Sequence, residues 1–503
     1  MKPGDARTGM GGNGLRPTEL PYAYALGPER LTTGFDRRQV VDVQTHRVLH
    51  PPLNPLEFPQ LLRLSVAVKL TGRGGAGFPF ATKLEAVARS VERSGTAPVV
   101  VVNATEGEPA SWKDKVLIGR APHLVLDGAA LAAYALQADS IVIGIAEGSP
   151  GEHVLAGALK ERRMPVPTRL VSVPHRFISG QTSALIRGIN GELPLPGAAV
   201  RASASGVGGA PTLLSNAETF AQLAVAARLG PHRYAAVGTA QEPGTVLLTV
   251  SGAVARPSVV ECPAGTPLSD VLTACGAIAG PGVLVGGFHG RWLRTEAVDG
   301  ADVSRAGLAR LGGNLGAGVV IVLGDRTCPL GEAAEVVRYL AGESSGQCGP
   351  CRNGLPHLAT VLDGLVAGAE DSYAVRAAAA AVHGRGACHH PDGTADFVVS
   401  TLDAFPDDLA AHQSGHGCGR PVTGVLPVPR PAGARALRLQ VDWTRCDGHG
   451  LCTHVAPDLI QLDAHGFPVV ADDALPDGLE KVGRRVVSRC PALALRLEED
   501  AAS

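Results

Sequence analysis

The spacing of its cysteines constrains this chain more than any other feature of the sequence. Cys348 and Cys351 stand two residues apart in the stretch ESSGQCGPCRNG, and Cys388 follows further along the chain. Iron–sulfur clusters are usually held by four thiolates, and closely spaced cysteines supply several of them from one loop. Ser345 stands three residues before Cys348, where a run of Cys-x-x-Cys-x-x-Cys would place another thiolate. The stretch therefore predicts a cluster-binding loop that lacks one cysteine.

A second set of cysteines near the end of the chain predicts a small ferredoxin. Bacterial ferredoxins carry a C-x-x-C-x-x-C run and a distant Cys-Pro. In DWTRCDGHGLC the outer positions are Cys446 and Cys452, the middle position is His449, and Cys490-Pro491 follows downstream. Imidazole can ligate iron or stand beside it, so the role of His449 is open. The predicted metal ligands of the whole chain are Cys348, Cys351, Cys388, Cys446, His449, Cys452 and Cys490.

Composition narrows the class of protein. The chain has 503 residues, enough for several domains, and its net charge of −2 gives no reason to expect binding to nucleic acid or to a membrane surface. The first residues lack the apolar core of a signal peptide. The most apolar stretch, 124–148, is interrupted by polar residues, so we expect no membrane span. These features favour a cytoplasmic protein whose ten cysteines serve metal or redox chemistry rather than disulfides.

The glycine-rich stretch TGRGGAGFPFATK is a candidate phosphate-binding loop. Gly72, Gly74 and Gly77 have the spacing G-x-G-x-x-G, but Phe78-Pro79 interrupts the helix start that a Rossmann fold needs after these glycines. Glycines still let backbone N–H groups approach a phosphate, and Lys83 adds positive charge. A glycine-rich turn without a ligand explains this stretch equally well by itself.

A second polar stretch, VVVVNATEGEPASWKDK, follows a predicted buried strand at residues 99–102. Ligands of α/β proteins bind at the carboxyl ends of strands. Asn103, Glu106 and Glu108 come directly after this strand, so they are candidates for a binding site. Taken alone, the stretch is also typical of a solvated polar loop.

These stretches together resemble the flavin-carrying, NADH-oxidising subunit of respiratory complex I and the similar diaphorase subunits of soluble hydrogenases and formate dehydrogenases. That family carries G-R-G-G-A-G-F-P followed by a lysine, then N-A-D-E-x-E-P-G-T-x-K-D-R, then E-S-C-G-x-C-x-P-C-R-x-G and a later cysteine. This chain has GRGGAGFP, NATEGEPASWKDK, ESSGQCGPCRNG and Cys388, in the same order, from about residue 60 to residue 410. Its C-terminal segment resembles the single-cluster ferredoxins of actinobacteria that feed electrons to haem-thiolate monooxygenases.

The resemblance implies cofactors and binding residues. The implied cofactors are FMN, NAD(H) or NADP(H), and iron–sulfur clusters of the 4Fe-4S or 3Fe-4S type. No catalytic side chain is implied. The segment PTLLSNAETFAQL resembles the family's second flavin-contacting segment. The implied cofactor-binding residues are Gly72, Gly74, Gly75 and Lys83 at the flavin phosphate, Asn103, Glu106, Asn216 and Thr219 at the flavin or its ribityl chain, and Phe78 and Glu108 near the nicotinamide nucleotide.

The expected fold is an α/β flavin-binding domain, a small β-grasp domain, a helical bundle cluster domain and a C-terminal α+β ferredoxin domain. The expected boundaries are a loose lead-in at 1–55, then 56–240, 241–300 and 301–411, a Gly- and Pro-rich linker at 412–436, and 437–503. Periodicity and turn residues predict helices at 124–136, 152–163, 331–341, 355–366, 372–382 and 395–405, and strands at 99–102, 140–145, 168–173, 319–323, 437–443 and 492–497. Thr266 and Pro267 predict the start of a further helix. Cys262 and Cys275 lack ligand spacing, so we expect them to be buried structural thiols. Cys418 falls in the linker, and we expect it to be a bystander.

Two departures from the family pattern affect nucleotide choice. Thr105 stands where the family has the aspartate of N-A-D-E, and Gln181 and Thr182 replace the two acids of Y-I-C-G-E-E-T-A-L. An acid in such a site holds the ribose hydroxyls and repels a 2′-phosphate. Their loss predicts a weaker preference for NADH over NADPH or weaker nucleotide binding. Compensation by neighbouring residues is the alternative.

The order of the parts predicts a function. A flavin accepts a hydride and releases electrons singly, and clusters accept one electron at a time. We therefore expect an NAD(P)H-dependent oxidoreductase that passes electrons through a cluster to the fused ferredoxin and on to a protein acceptor. From Arg438 onward, eleven acidic residues against seven Lys and Arg suit docking on a basic partner. The alternatives are a diaphorase subunit of a larger complex and an electron-transfer scaffold whose flavin site has decayed.

Overall fold

A computed structural model describes residues 20–35, 40–197, 201–429, 437–457, 459–470 and 480–499. The described strands are β1 (Tyr22–Ala25), β2 (Val99–Ala104), β3 (Ser140–Ala146), β4 (Thr168–Val173), β5 (Thr212–Asn216), β6 (Thr245–Gly252), β7 (Ser258–Pro263), β8 (Gly282–Val285), β9 (Arg291–Arg294), β10 (Val319–Leu323), β11 (Leu437–Val441), β12 (Ile460–Leu462), β13 (Pro468–Val470) and β14 (Leu495–Glu499). The described α-helices are α1 (Val43–Leu49), α2 (Phe58–Ala67), α3 (Phe80–Ser94), α4 (Lys113–Arg120), α5 (Pro122–Leu136), α6 (Pro150–Glu161), α7 (Thr182–Ile189), α8 (Ala217–Tyr234), α9 (Leu268–Ala274), α10 (Thr295–Val298), α11 (Arg305–Arg310), α12 (Pro329–Gly342), α13 (Leu355–Val366), α14 (Ser372–Val382), α15 (His390–Ala404), α16 (Pro406–Gln413), α17 (Leu451–Val455) and α18 (Glu480–Arg489).

A four-stranded parallel sheet forms the first layer of the mixed α/β fold. Its strand order is β4-β3-β2-β5, and β2 pairs with both β3 and β5. The run Val99–Val102 is buried on both faces, as expected for a parallel sheet that is covered on both sides. Helices α5 and α8 cross closely beside the sheet: a Cβ on Gly128 would lie 1.8 Å from the carbonyl oxygen of Phe220, so only glycine fits there. The pairing of β2 with β5 sets Asn103 opposite Asn216 at the carboxyl edge.

The glycine-rich loop does not follow a strand of this sheet. It follows helix α2 and precedes α3, which begins at Phe80 with Pro79 as its N-cap residue. A dinucleotide-binding turn of the Rossmann type would run from a strand into a helix. The loop is therefore a different kind of glycine-rich connection, as Phe78-Pro79 predicts.

The second sheet has six strands in the order β1-β7-β6-β10-β8-β9. It differs from the expected division of the chain in two ways. Strand β1 comes from the region predicted to be a loose lead-in and pairs parallel with β7, while β10 lies beyond residue 300 and pairs with β6 and β8. Long-range pairing of this kind leaves little trace in local sequence pattern. Helix α9 begins one residue later than predicted, at Leu268, with Pro267 as its N-cap residue.

Helices α12 to α16 surround a separate apolar core. Helices α13 and α14 have the predicted bounds, whereas α15 begins at His390, ahead of the predicted 395–405. The segment 412–429 was predicted to be a linker, but it packs on this core: Leu426 is buried, and the backbone N–H groups of Thr423 and Gly424 donate to the carboxylate of Glu332. Residues 430–436 of the predicted linker lie outside the described residues, as do residues 1–19 of the lead-in.

The C-terminal segment pairs β11 with β14 in an antiparallel ribbon, with Leu439 opposite Leu497. Both strands fall close to their predicted positions. Strands β12 and β13 form a second antiparallel pair, and α17 packs against α18. Among the described helices, none alone has the length and hydropathy of a membrane span; α4 and α5 meet those criteria only as a pair, with a 93° bend between them.

Candidate flavin and iron–sulfur site

The glycine-rich loop forms a cradle of free backbone donors. Gly72 N–H donates to the carbonyl of Phe78 at 2.9 Å and closes the loop. Gly75 and Gly77 have φ of +106° and +62°, which favours glycine at both positions. The N–H groups of Gly74, Gly75 and Gly77 have no hydrogen-bond partner among the described residues. Because successive unpaired N–H groups in a turn bind anions, the loop fits a phosphate group.

Arg305 holds this loop from the far side. Its guanidinium donates to the carbonyls of Gly72 and Gly75, each at 3.0 Å, and a Cβ on Gly77 would collide with it. The contact joins residues more than 200 positions apart in the chain. Sequence reasoning missed Arg305, because no local motif marks an arginine whose partners are distant carbonyl oxygens.

Lys83 and Thr219 flank the cradle. Lys83 is half-buried and donates to the carbonyl of Leu214 at 3.0 Å, and burial lowers its pKa. The hydroxyl of Thr219 accepts from Arg73 N–H at 2.9 Å, so it fixes the loop rather than pointing away from it. The structure thus brings Thr219 to the glycine-rich loop and directs the Lys83 ammonium to the end of β5.

Asn103 and Asn216 stand at the ends of the paired strands β2 and β5. Asn216 is the N-cap residue of α8, where its Oδ1 accepts from Glu218 N–H, and its Nδ2 donates to Asp114 at 2.5 Å. Asn103 donates through Nδ2 to the carbonyl of Gly180 at 2.8 Å. A Cβ on Gly74 would contact the Asn216 side chain at 3.4 Å, which places the cradle directly beside this strand edge.

A buried ion network lies beneath the same edge. Lys113 Nζ lies 2.9 Å from a carboxylate oxygen of Asp114 and 2.9 Å from one of Glu218, and all three side chains are almost fully buried. Burial opposes the charge of Lys113, but the two carboxylates outweigh it and hold its pKa above the usual value. Buried charges persist when they are paired in this way.

The carboxylate of Glu106 binds backbone N–H groups in the first turn of helix α4. It accepts from the N–H groups of Asp114 and Lys115 at 2.9 and 2.8 Å and from the Ser111 hydroxyl at 2.6 Å. Burial raises its pKa, although Lys115 opposes the shift. Both oxygens therefore have partners within the protein, so the predicted flavin contact of Glu106 remains a prediction.

Glu108 is half-buried and less completely paired. Its carboxylate accepts from Phe288 N–H at 2.9 Å and from Ala110 N–H at 3.3 Å. Burial raises its pKa to about 7, and these two bonds only partly offset the shift. A Cβ on Gly287 would lie 2.6 Å from the carboxylate, so the chain at Gly287 passes directly over it. The predicted neighbour Phe78 is 48% exposed on the glycine-rich loop.

Gln181 and Thr105, which stand where the family has acidic residues, form hydrogen bonds within the protein. Gln181 is the N-cap residue of α7, where its Oε1 accepts from Ser183 N–H and Ala184 N–H. Thr105 is buried and its hydroxyl donates to Asn103 Oδ1 at 2.7 Å. Both side chains are neutral: Gln181 stabilises the backbone at the start of α7, and Thr105 stabilises the side chain of Asn103.

The cysteine loop begins a π-helical turn, Pro350–Gly354, that contains the buried Cys351. Burial opposes ionisation of Cys348, but N–H groups of Ala387 and Cys351 donate to its sulfur and hold its pKa below the usual value. Cys388 is close enough for the charge of Cys348 to raise its pKa, although burial is the larger cause. The three cysteines thus lie near one another, although their sulfur atoms are not all within 4.8 Å of one another. An all-thiol set suits an iron–sulfur cluster.

Ser345 faces the gathered cysteines. Its hydroxyl lies 3.8 Å from the sulfur of Cys351, which places it beside the thiols, where a fourth ligand is missing. A hydroxyl is a hard group that does not deprotonate readily, so it is a poor replacement for a thiolate. Three cysteines and Ser345 could therefore surround a three-iron cluster, a four-iron cluster with a labile corner, or no cluster, and ligation stays a prediction.

The cluster loop contacts the sheet domain directly. Glu343 accepts from Phe177 N–H at 2.7 Å and lies 3.7 Å from the guanidinium of Arg176. Gln347 donates to the carbonyl of Pro196 at 2.8 Å. The carbonyls of residues 176 and 177 also approach Gly107 so closely that a Cβ there would lie 2.7 Å from each. The segment at Arg176 and Phe177 therefore contacts both the polar loop after β2 and the cluster loop.

Two of the four predicted ferredoxin ligands pack against one small core. Cys452 and Cys490 pack against the apolar cluster of the C-terminal segment, and the sulfur of Cys490 accepts from Ala494 N–H at 3.3 Å. Cys446 is half-buried, whereas His449 is exposed. Ligation of iron by His449 stays a prediction.

Comparison with family models divides the chain in the same order. Residues 66–225 match the Nuo51 FMN-binding domain, and residues 331–412 match the NADH-ubiquinone oxidoreductase-F iron-sulfur binding region. Residues 439–497 match a 4Fe-4S single cluster domain, and residues 247–285 match the SLBB domain.

Several known proteins are similar along most of their length. NADH dehydrogenase [ubiquinone] flavoprotein 1 of Dictyostelium discoideum is 30% identical over 61% of this chain and 68% of its own. A NADH-quinone oxidoreductase subunit of Rhizobium meliloti is 27% identical over 80% of this chain and 98% of its own. A crystal structure of an NAD+-reducing [NiFe]-hydrogenase aligns with a TM-score of 0.67 at 27% identity, over 78% of this chain and 68% of that one.

The raised pKa of Glu108 predicts a pH-dependent stability. A carboxyl whose pKa rises from 4.5 to about 7 on folding contributes stability that is complete below pH 4.5 and is lost as the pH rises through 7. Between pH 4.5 and pH 7 we expect the unfolding free energy of the native protein to fall by roughly 3 kcal/mol more than that of Glu108→Gln, because the amide of the variant does not titrate. Urea denaturation at a series of pH values measures the difference. The exposed Glu92→Gln variant is the control, and parallel pH curves for the native protein and Glu108→Gln would refute the assignment.

Proposed function

Since this chain belongs to the family of the flavin-carrying, NADH-oxidising subunits of NADH dehydrogenases, we propose that it oxidises NAD(P)H with FMN and passes the electrons to iron–sulfur clusters. FMN, when bound, supplies the conversion from two-electron to one-electron chemistry that a nicotinamide does not readily perform. The single observation that best supports the proposal is the hydrogen bond from Phe177 N–H to Glu343, because it joins the candidate flavin domain to the candidate cluster loop.

The residues of the chain supply binding and orientation. The free N–H groups at Gly74, Gly75 and Gly77, with the charge of Lys83 nearby, would hold the flavin phosphate. Asn103 and Asn216 would orient the flavin from the strand edge, where their side chains are already held by protein partners. Phe78 and Glu108 would adjoin the nicotinamide nucleotide.

The fused C-terminal segment supports a self-contained electron carrier. We propose that electrons pass from the cluster at Cys348, Cys351 and Cys388 to a ferredoxin cluster at Cys446, Cys452 and Cys490, with His449 at the fourth position. An external protein, such as a haem-thiolate monooxygenase, would then accept them in the cytoplasm. The match of residues 439–497 to a single cluster domain supports the presence of this second centre.

A second candidate is a subunit of a larger hydrogenase- or dehydrogenase-type complex. The names of two similar proteins favour it. One is the HndC subunit of the NADP-reducing hydrogenase of Solidesulfovibrio fructosivorans, which is 26% identical over 80% of this chain and 84% of its own. The other is the NAD+-reducing hydrogenase described above. A scaffold with a decayed flavin site is less well supported, because the glycine-rich cradle and Lys83 are intact. Size-exclusion chromatography of the native protein from its own cells separates the first two candidates, and flavin content tests the third.

The Glu343 contact predicts which step a mutation will slow. Glu343→Ala removes a hydrogen bond to a charged group, a loss of about 1.5–3 kcal/mol. Stopped-flow mixing with NADH under argon should show flavin bleaching at the native rate and cluster bleaching slowed by roughly tenfold. Glu296→Ala, in which the lost carboxylate is 79% exposed, should leave both phases unchanged. Equal rates of cluster bleaching in Glu343→Ala and the native protein would argue against the proposed route.

The neutral side chain at Gln181 predicts weak discrimination between the two nucleotides. A new carboxylate in Gln181→Glu would still cap α7 and would repel a 2′-phosphate by about 1 kcal/mol in a solvated site. The ratio of kcat/KM for NADH over NADPH should therefore rise by roughly fivefold in this variant. Gln413→Glu, at the end of α16, is the control. A native enzyme that already strongly prefers NADH would contradict the proposal.

The altered corner at Ser345 predicts an unusual cluster. EPR of the protein as isolated without oxygen should show a three-iron signal, and Ser345→Cys should convert one centre to an ordinary four-iron signal on reduction, at a lower potential. The adjacent Ser344→Cys, whose hydroxyl contacts the carbonyl of Cys351 rather than its sulfur, should not convert it. Two ordinary four-iron signals in the reduced native protein would count against a tuned cluster.

A further inference from the structure

Three potential metal ligands meet away from both predicted clusters. The sulfur of Cys328, the sulfur of Cys418 and a ring nitrogen of His412 all lie within 4.8 Å of one another. Within the described ranges, this is the one group of three or more Cys, His, Asp or Glu side chains gathered so tightly. Cys328 is 2% exposed and His412 is 5% exposed, so the group is mostly buried. Sequence reasoning treated Cys418 as a bystander, because its partners are far away along the chain.

Backbone contacts orient the imidazole of His412. Its Nδ1 lies 2.8 Å from the carbonyl of Val366, and a carbonyl can only accept, so Nδ1 carries a proton and donates it. In the neutral ring, Nε2 then presents its lone pair, and it lies 3.2 Å from the sulfur of Cys328. A second nitrogen that donates to a backbone carbonyl is the usual arrangement of a metal-binding histidine.

The backbone around Cys328 also suits a thiolate. Gly331 N–H donates to the sulfur of Cys328 at 3.2 Å from the first turn of α12, where the helix dipole favours negative charge. A thiolate at this position is a ligand that a metal ion could bind.

We propose that Cys328, His412 and Cys418 bind a zinc ion, with a solvent molecule as the fourth ligand. Thiolate and imidazole together suit zinc, and two thiolates neutralise its charge in a buried position. Zn–S bonds of about 2.3 Å and Zn–N bonds of about 2.0 Å in a tetrahedron keep ligand atoms roughly 3.5–4 Å apart, which this group meets with small side-chain movements. The site in this structure comes from three separate segments: the N-cap of α12, the end of α16 and the chain beyond it.

The ion would fasten the chain that leads to the C-terminal segment. Cys418 lies within the segment 412–429. Backbone N–H groups of this segment donate to the Glu332 carboxylate, and its Pro421 carbonyl accepts from Cys328 N–H at 2.8 Å. A bond through zinc from Cys418 to Cys328 adds a covalent-strength link to these contacts. The inference is independent of the proposed function, since zinc has no redox chemistry and takes no part in electron transfer.

Metal analysis tests the proposal on the full-length protein. Protein purified without oxygen and passed over a mild chelating resin should contain one zinc per chain by mass spectrometry, beside its iron. His412→Gln and Cys418→Ser should lose the zinc and keep flavin and iron at native levels. His416→Gln is the matched control, because His416 is an exposed histidine of the same segment. Zinc-free native protein, or zinc retained in both variants, would overturn the proposal.

Two further measurements on the native protein do not depend on variants that fold. Zinc-edge X-ray absorption should give two sulfur neighbours at about 2.3 Å and two lighter neighbours. A shell of four light atoms would overturn the site. Mass spectrometry of alkylated, unreduced peptides should find Cys328 and Cys418 unlinked, and a disulfide between them would overturn it as well.

Discussion

The buried pairing of Lys113 with Asp114 and Glu218 is the constraint on which the candidate site depends. These side chains come from α4, which follows the polar loop after β2, and from α8, which follows β5. An unpaired charge in this position would cost several kcal/mol, so the two strand ends are held in one relative position. Asn216 joins the network through Asp114 and contacts the glycine-rich loop at Gly74. The network thereby holds the phosphate cradle, the strand edge and the polar loop together.

Electron transfer also requires contact between the candidate flavin domain and the cluster loop. The segment at Arg176 and Phe177 meets the polar loop on one side and Glu343 of the cluster loop on the other. A movement of this segment would therefore change both neighbours at once. Further along, Glu332 binds the chain that continues toward the C-terminal segment, and Cys328, His412 and Cys418 meet beside the same stretch.

The departures from the family pattern share a physical character. Gln181 caps a helix and Thr105 bonds to Asn103, so each neutral side chain satisfies a local backbone or side-chain partner. Ser345 keeps a polar atom beside Cys351 where a thiolate is missing. Each substitution removes a negative charge and preserves a hydrogen bond, which is compatible with a stable fold and a changed affinity or potential.

Local sequence pattern was enough to predict the elements with strong periodicity. Helices α13 and α14 and strands β4 and β10 have the predicted bounds, because their apolar spacing and flanking turn residues act over a few positions. Local pattern could not predict that β1 pairs with β7. Such pairing depends on contacts between residues more than 200 positions apart, which no window of sequence contains.

The sequence by itself determined the chemistry that is available: closely spaced cysteines for clusters, glycines before Lys83 for a phosphate, and a ferredoxin-like run at the end of the chain. Only the tertiary structure decided which groups meet. It brought Arg305 to the glycine-rich loop, turned both oxygens of Glu106 toward helix α4, and gathered Cys418 with Cys328 and His412. The physical reason is that hydrogen bonds and metal sites require atoms within about 3–4 Å, and that proximity is set by packing of distant segments.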